Sequence, residues 1–224
     1  MIVADKERYV KPTYVTDIIN IAPAPDLMLW TAWQIAKEME RNPHMSARQA
    51  VAIFEQKRLR VMNRGKEVHK EATGSAPRFK AIDPSFLTAE EKRIQEENYR
   101  KAVARWKKDY SIVRTNVEVS VASRKYNYIG RIDTVAWDEK GQLYLVDIKT
   151  GAIRREHTLQ LVAYKFAYEE QEGQKVDKTA LLKLNPDATY VFYYTNSSRE
   201  TFDVFLAMKS IFEWQNRTPE YPTV

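Results

Sequence analysis

Residues 128–164 read YIGRIDTVAWDEKGQLYLVDIKTGAIRREHTLQLVAY. Two runs of alternating and apolar residues flank the polar turn Asp138-Glu-Lys-Gly141, and a helix-like segment follows. This pattern predicts a β-hairpin over about Tyr126 to Lys149, then a helix over 155–172. The second strand, LYLVDIKT, is apolar until Asp147, so it is expected to be central and covered on both faces. Side chains two apart on a strand share a face, so Asp147 and Lys149 point the same way and Ile148 points into packing. Asp133 lies on the first strand and meets Asp147 at one edge of the sheet if the register permits. Gln160 and Tyr164, four apart, share a face of the helix.

Outward from the hairpin, Ser111 to Ser123 has β-branched residues at a period of two and reads as a strand. Thr88-Ala-Glu-Glu91 fits a capping box opening a helix to about Tyr110, with Ile94, Tyr99 or Ala102, Val103 and Trp106 as its packed side. Downstream, Thr179 to Leu184 and Tyr190 to Thr195 read as strands. Thr201 to Asn216 reads as an amphipathic helix with Phe202, Phe205, Met208, Ile211, Phe212 and Trp214. Upstream, a helical run follows Ser46, and another spans Asp26 to Arg41 with Trp30 and Trp33 as packing residues. Residues 1–25 read as mostly irregular, with Thr16 a possible cap of a short turn. The fold class expected is α/β: a mixed central sheet flanked by helices, with a helical N-terminal half. One domain spans 1–224, divided into a helical half at 26–110 and an α/β core at 111–216.

The chain has 224 residues, 44% hydrophobic and 29% charged, the balance of a globular protein. With no cysteine, disulfides, a Cys-ligated zinc and an iron–sulfur cluster are excluded. No run approaches the roughly 20 apolar residues of a membrane span, and the N-terminus lacks the apolar core of a secretory signal. The expectation is a cytoplasmic protein with no membrane partner. Net charge is +6, and residues 41–80 alone carry +7. A basic segment offset from an acidic cluster suits a polyanion held beside a metal site.

Asp133 and Asp147 with a phosphate oxygen would suit Mg²⁺ or Mn²⁺, which prefer hard oxygen ligands. The Ile148 carbonyl is a further candidate ligand. Lys149 is placed to orient water and to offset charge on a transferring phosphate. A structural Asp–Lys pair is the alternative. Glu118 is a candidate for a further metal or water contact, or a salt-bridge partner of Arg131.

These pieces resemble the PD-(D/E)xK nuclease superfamily, and more narrowly its RecB-type, Cas4-like exonuclease branch. Gly65-Lys-Glu-Val-His69 resembles the GxxxH segment. Gly130-Arg-Ile-Asp133 resembles GxxD, Asp147-Ile-Lys149 resembles DxK, and Gln160-Leu-Val-Ala-Tyr164 resembles QxxxY. All stand in the family order. The resemblance implies a restriction-endonuclease-like fold and a metal held by His69, Asp133, Asp147 and the Ile148 carbonyl. It implies a catalytic set of His69, Asp133, Asp147, Lys149, Gln160, Tyr164 and Glu118. The implied reaction is metal-dependent hydrolysis of DNA phosphodiesters from single-stranded or processed ends, in recombination, repair or replication. Arg58, Arg60, Arg64, Lys66, Arg154 and Arg155 are the expected backbone contacts. A recombination or replication protein is an implied partner, and a stand-alone phage or prokaryotic enzyme, acting in the host cytoplasm if phage-encoded, fits the size. A structure-selective endonuclease and a catalytically silent DNA-binding protein are the alternatives.

Overall fold

The structure, a computed structural model, describes residues 12–21, 25–59 and 89–217. In chain order the elements are β1 (Thr13–Tyr14), α1 (Val15–Ile19), α2 (Pro25–Arg41), α3 (47–59) and α4 (Ala89–Asp109). There follow β2 (Ile112–Ser123), β3 (Tyr128–Asp138), β4 (Leu143–Lys149), α5 (Glu156–Glu172), β5 (Lys178–Leu184), β6 (Tyr190–Tyr194) and α6 (Arg199–Gln215). The six described strands form one mixed sheet with helices on both faces, the restriction-endonuclease-like arrangement expected from the sequence.

The β3–β4 hairpin forms where the polar turn was read. Asp138 Oδ1 accepts from the Lys140 and Gln142 amides, both at 2.9 Å. Gly141 takes the left-handed φ of 76° that this turn requires. β4 is buried on both faces through Ile148. Its odd-numbered Leu143 and Leu145 pack with α1, α5 and α6. Its even-numbered Tyr144, Val146 and Ile148 pack beneath α4, against Tyr99, Ala102, Val103 and Trp106. Alternation along one strand therefore separates two cores. β4 runs antiparallel to β3 and parallel to β5, and β5 runs antiparallel to β6.

Several apolar residues read as packed are exposed, because amphipathic spacing does not reveal which face finds a partner. Trp30 and Trp33 are about half exposed rather than core residues: Trp30 meets Phe54 edge-on at 5.9 Å between ring centroids, and Lys37 Nζ lies 3.7 Å from the Trp33 ring centroid. Ile94, Ile211 and Trp214 are likewise exposed. Of residues 1–25, those described at 12–21 are not irregular. Thr13 and Tyr14 pair in parallel with Tyr128 and Ile129, and α1 buries Val15, Ile18 and Ile19. Thr16 is inside α1, not its cap; the N-cap is Tyr14, without a side-chain bond. The capping box at Thr88 lies outside the described residues. No described helix is long and apolar enough to cross a membrane.

Candidate active site

The site forms where β3 and β4 part. Their pairing ends at Thr134 opposite Val146. Among the described residues, the same edge of β3 is taken up again by β1, at Tyr128 and Ile129. Gly130 to Asp133 thus faces a gap in the ladder among the described residues. The Ile148 amide would have continued that ladder. It donates instead to Asp133 Oδ2 at 2.7 Å. In an extended strand the N–H and C=O of one residue point to the same edge, so the Ile148 carbonyl also faces this gap. A side-chain carboxylate has replaced a backbone acceptor, which draws Asp133 against the Asp147–Ile148 peptide.

The pleat slips at the same place. Ile132 and Val135 are three apart yet belong to one core, where regular alternation would put them on opposite faces. On the neighbouring strand, Glu118 holds a φ of 54°, a conformation costly for a residue with a Cβ. Its carboxylate accepts from Arg131 Nε at 2.7 Å. Glu118 is therefore placed in the ion pair that was one of its two expected uses.

Asp147 is 1% exposed. Its Oδ2 lies 2.7 Å from Lys149 Nζ. That ammonium also donates to Gln160 Oε1 at 3.4 Å, and Gln160 Nε2 donates to the Tyr164 hydroxyl at 2.9 Å. One continuous chain of contacts thus links Asp147, Lys149, Gln160 and Tyr164. Burial pushes the Tyr164 phenol above its ordinary range, and the charges of Asp147 and Asp133 push the same way. It stays neutral and serves as a fixed acceptor. Its ring lies over Gly130: a Cβ there would fall 2.4 Å from Tyr164 Cε1. The glycine before Asp133 and the tyrosine of α5 are thus one steric unit.

The residue readings missed His157. It sits three positions before Gln160, on the same face of α5, and spacing alone offered that signal. Its Nδ1 accepts from the Arg154 amide at 3.0 Å, so a neutral ring carries its proton on Nε2. Burial lowers its pKa to about 4, and the charges of Lys149 and Arg154 add to the shift. Between pH 6.5 and 4 the unfolded chain binds this proton and the folded chain does not. Stability should therefore fall as pH drops through that window. Urea melts of wild type and His157→Gln across it should show a shallower loss in the variant. Identical profiles would remove His157 from the account.

Of the expected backbone contacts, Arg58 pairs with Glu55 at 2.8 Å and Arg154 pairs with Glu156. Arg155 is exposed. His69, Arg60, Arg64 and Lys66 lie outside the described residues.

The sequence profile of the PD-(D/E)XK nuclease superfamily matches residues 34–217. The chain belongs to that superfamily. Among solved structures, this PD-(D/E)XK chain is similar to a Eubacterium rectale protein described as a candidate exonuclease. That similarity has 10% identity and a TM-score of 0.49, over 100% of this chain and 97% of that one. A second similar structure, SSO0001, shares 13% identity with a TM-score of 0.39, over 95% of this chain and 80% of that one. No curated protein sequence matches.

Superfamily members generally use divalent ions. Among the described residues no group of three or more His, Cys, Asp or Glu side chains is arranged to hold one. The donors near one another here are nevertheless the kind such an ion takes: the carboxylates of Asp133 and Asp147, whose charges both reach Tyr164 and of which Asp147 is almost wholly buried, and the Ile148 carbonyl. Their hard-oxygen chemistry fits Mg²⁺ or Mn²⁺.

Proposed function

We propose that this chain is a metal-dependent DNA exonuclease of the RecB-type, Cas4-like branch, acting on single-stranded or processed ends. The observation that carries the reading is the convergence of Asp133, Asp147 and Lys149 at the parted edge of β3 and β4, with Gln160 and Tyr164 behind them. Asp133, Asp147 and the Ile148 carbonyl would hold the ion, with His69 as the fourth proposed ligand. When bound, Mg²⁺ or Mn²⁺ supplies Lewis-acid charge at the phosphate and a more acidic water.

The protein's own groups then do the positioning. Asp147 and Gln160 fix the Lys149 ammonium beside the site. From there it offsets charge developing on the phosphoryl oxygens as water bonds to phosphorus and the bond to the 3′ oxygen breaks. The leaving oxygen takes a proton, giving 3′-hydroxyl and 5′-phosphate ends. Asp133 keeps the parted strands in register through Ile148. Glu118, paired with Arg131, supports the strand carrying Asp133. Residues 111–216 form the catalytic core in this reading, and the helical half at 26–110 carries DNA through Arg58, Arg60, Arg64 and Lys66, with Arg154 and Arg155 at the start of α5. Recombination, repair or replication, in the cytoplasm of a prokaryote or of a phage host, is the setting that suits such an enzyme.

End dependence is tested with end-labelled linear single-stranded DNA, its duplex and a closed single-stranded circle, each with Mg²⁺ or Mn²⁺. Loss of the linear strand with an intact circle is expected. Cleavage of the circle would establish an endonuclease on the same core.

A further inference from the structure

We infer that Lys183 and Tyr193 extend the active site across β5 and β6 as a track for a single strand of the substrate. This deepens the nuclease reading and rests on it. Parallel pairing sets Asp147 beside Leu181 and Lys149 beside Lys183. Antiparallel pairing then sets Leu181 beside Tyr193 and Lys183 beside Val191. Residues paired across strands share a face. Lys149 is on the α5 face, because Gln160 bonds it. Leu181 belongs to the core on that face, whereas Leu182 and Phe192 pack on the opposite one. Lys183, Val191 and Tyr193 therefore continue the face that presents Asp147 and Lys149.

With strands about 4.8 Å apart, Lys183 stands one strand from Lys149, and Tyr193 stands two strands from Asp147. This continuation is open: Val191 is 37% and Tyr193 45% exposed. The two lysines are not equivalent. Lys149 has Asp147 as its counter-ion. Among the described residues none supplies Lys183 with an acceptor. Lys183 therefore adds a cation beside an Asp147–Lys149 pair that is already balanced, and a bound anion would supply its counter-charge. A phosphate one nucleotide from the scissile one supplies the charge. The Tyr193 ring, with no hydrogen-bond partner among the described residues, supplies a stacking surface for a base.

The test uses the full chain and a fluorescent single-stranded oligonucleotide in EDTA, so that binding is read without cleavage, over a series of salt concentrations. Lys183→Gln should lower the slope of log affinity against log salt by about 0.7, the value of one lost single-strand phosphate contact, and Lys183→Arg should restore it. Tyr193→Ala should weaken binding about tenfold, within the range for one stacked base, and Tyr193→Phe should not. Wild-type slope and affinity in both Lys183→Gln and Tyr193→Ala would overturn the track. Parallel reactions with Mn²⁺ keep the two claims apart. Wild-type protein that degrades the strand while neither variant alters binding leaves the nuclease reading standing without the track. Variant-sensitive binding with no degradation supports the track and removes the nuclease reading. Failure of wild type to bind overturns the track.

Discussion

Replacing Asp147 by Asn is expected to lower hydrolysis by at least about a thousandfold, roughly 4 kcal/mol of transition-state stabilisation. The substitution keeps the shape of the side chain and removes its charge. An anionic oxygen is replaced by an amide whose nitrogen donates, so the site loses an ionic ligand and Lys149 loses the group that holds it 2.7 Å away. The protein should remain folded. Breaking a fully buried ion pair costs about 3–5 kcal/mol, but the Lys149 side chain is 20% exposed, so water can reach the released ammonium. A smaller cost, about 1–2 kcal/mol, is expected in urea melts. Hydrolysis at the wild-type rate by folded Asp147→Asn would exclude Asp147 from the chemistry. Lost stability with unchanged turnover would make the Asp147–Lys149 pair a structural one.

Gly130→Ala should cost about 2–3 kcal/mol, although alanine ordinarily gains over glycine in a strand. The new methyl would sit 2.4 Å from Tyr164 Cε1 and 3.0 Å from Cδ1. The ring cannot swing aside. It is 2% exposed, belongs to the core that also holds Leu161, Ala163 and Ala167, and is tied through its hydroxyl to Gln160. Either β3 or α5 must shift, and both carry the site, so turnover should fall with stability. In a Tyr164→Ala background the clash is gone, and Gly130→Ala should become neutral or slightly stabilising. Equal costs in the two backgrounds, measured by urea unfolding, would contradict the contact.

The difference between these two residues explains what the sequence could convey. Asp147 was legible because strand alternation is local: an apolar run interrupted by Asp and Lys two apart defines which face they share. Gln160 and Tyr164 were legible for the helical version of the same reason. Gly130 stood in a motif, but its steric role depends on a ring 34 positions downstream. Lys183 was invisible for a stronger reason. It becomes a neighbour of Lys149 only through the register of two parallel strands joined by a helix, and no local pattern encodes that register. The exposed Trp30 and Trp33 fall under the same limit, since periodicity shows an apolar stripe but not what covers it. β1 contributes two residues, too few to show a period, yet its position bounds the gap that Asp133 faces.

The central claim is that the parted edge of β3 and β4 is a metal-dependent nuclease centre. It is tested most directly by incubating end-labelled single-stranded DNA with purified wild-type protein in Mg²⁺, Mn²⁺ or EDTA, beside folded Asp133→Asn and Lys149→Ala variants. The account predicts hydrolysis by wild type with a divalent ion, none in EDTA, and at most trace hydrolysis by either variant. Undiminished hydrolysis in EDTA, or by either variant, would contradict it, as would intact DNA with folded wild type under both ions.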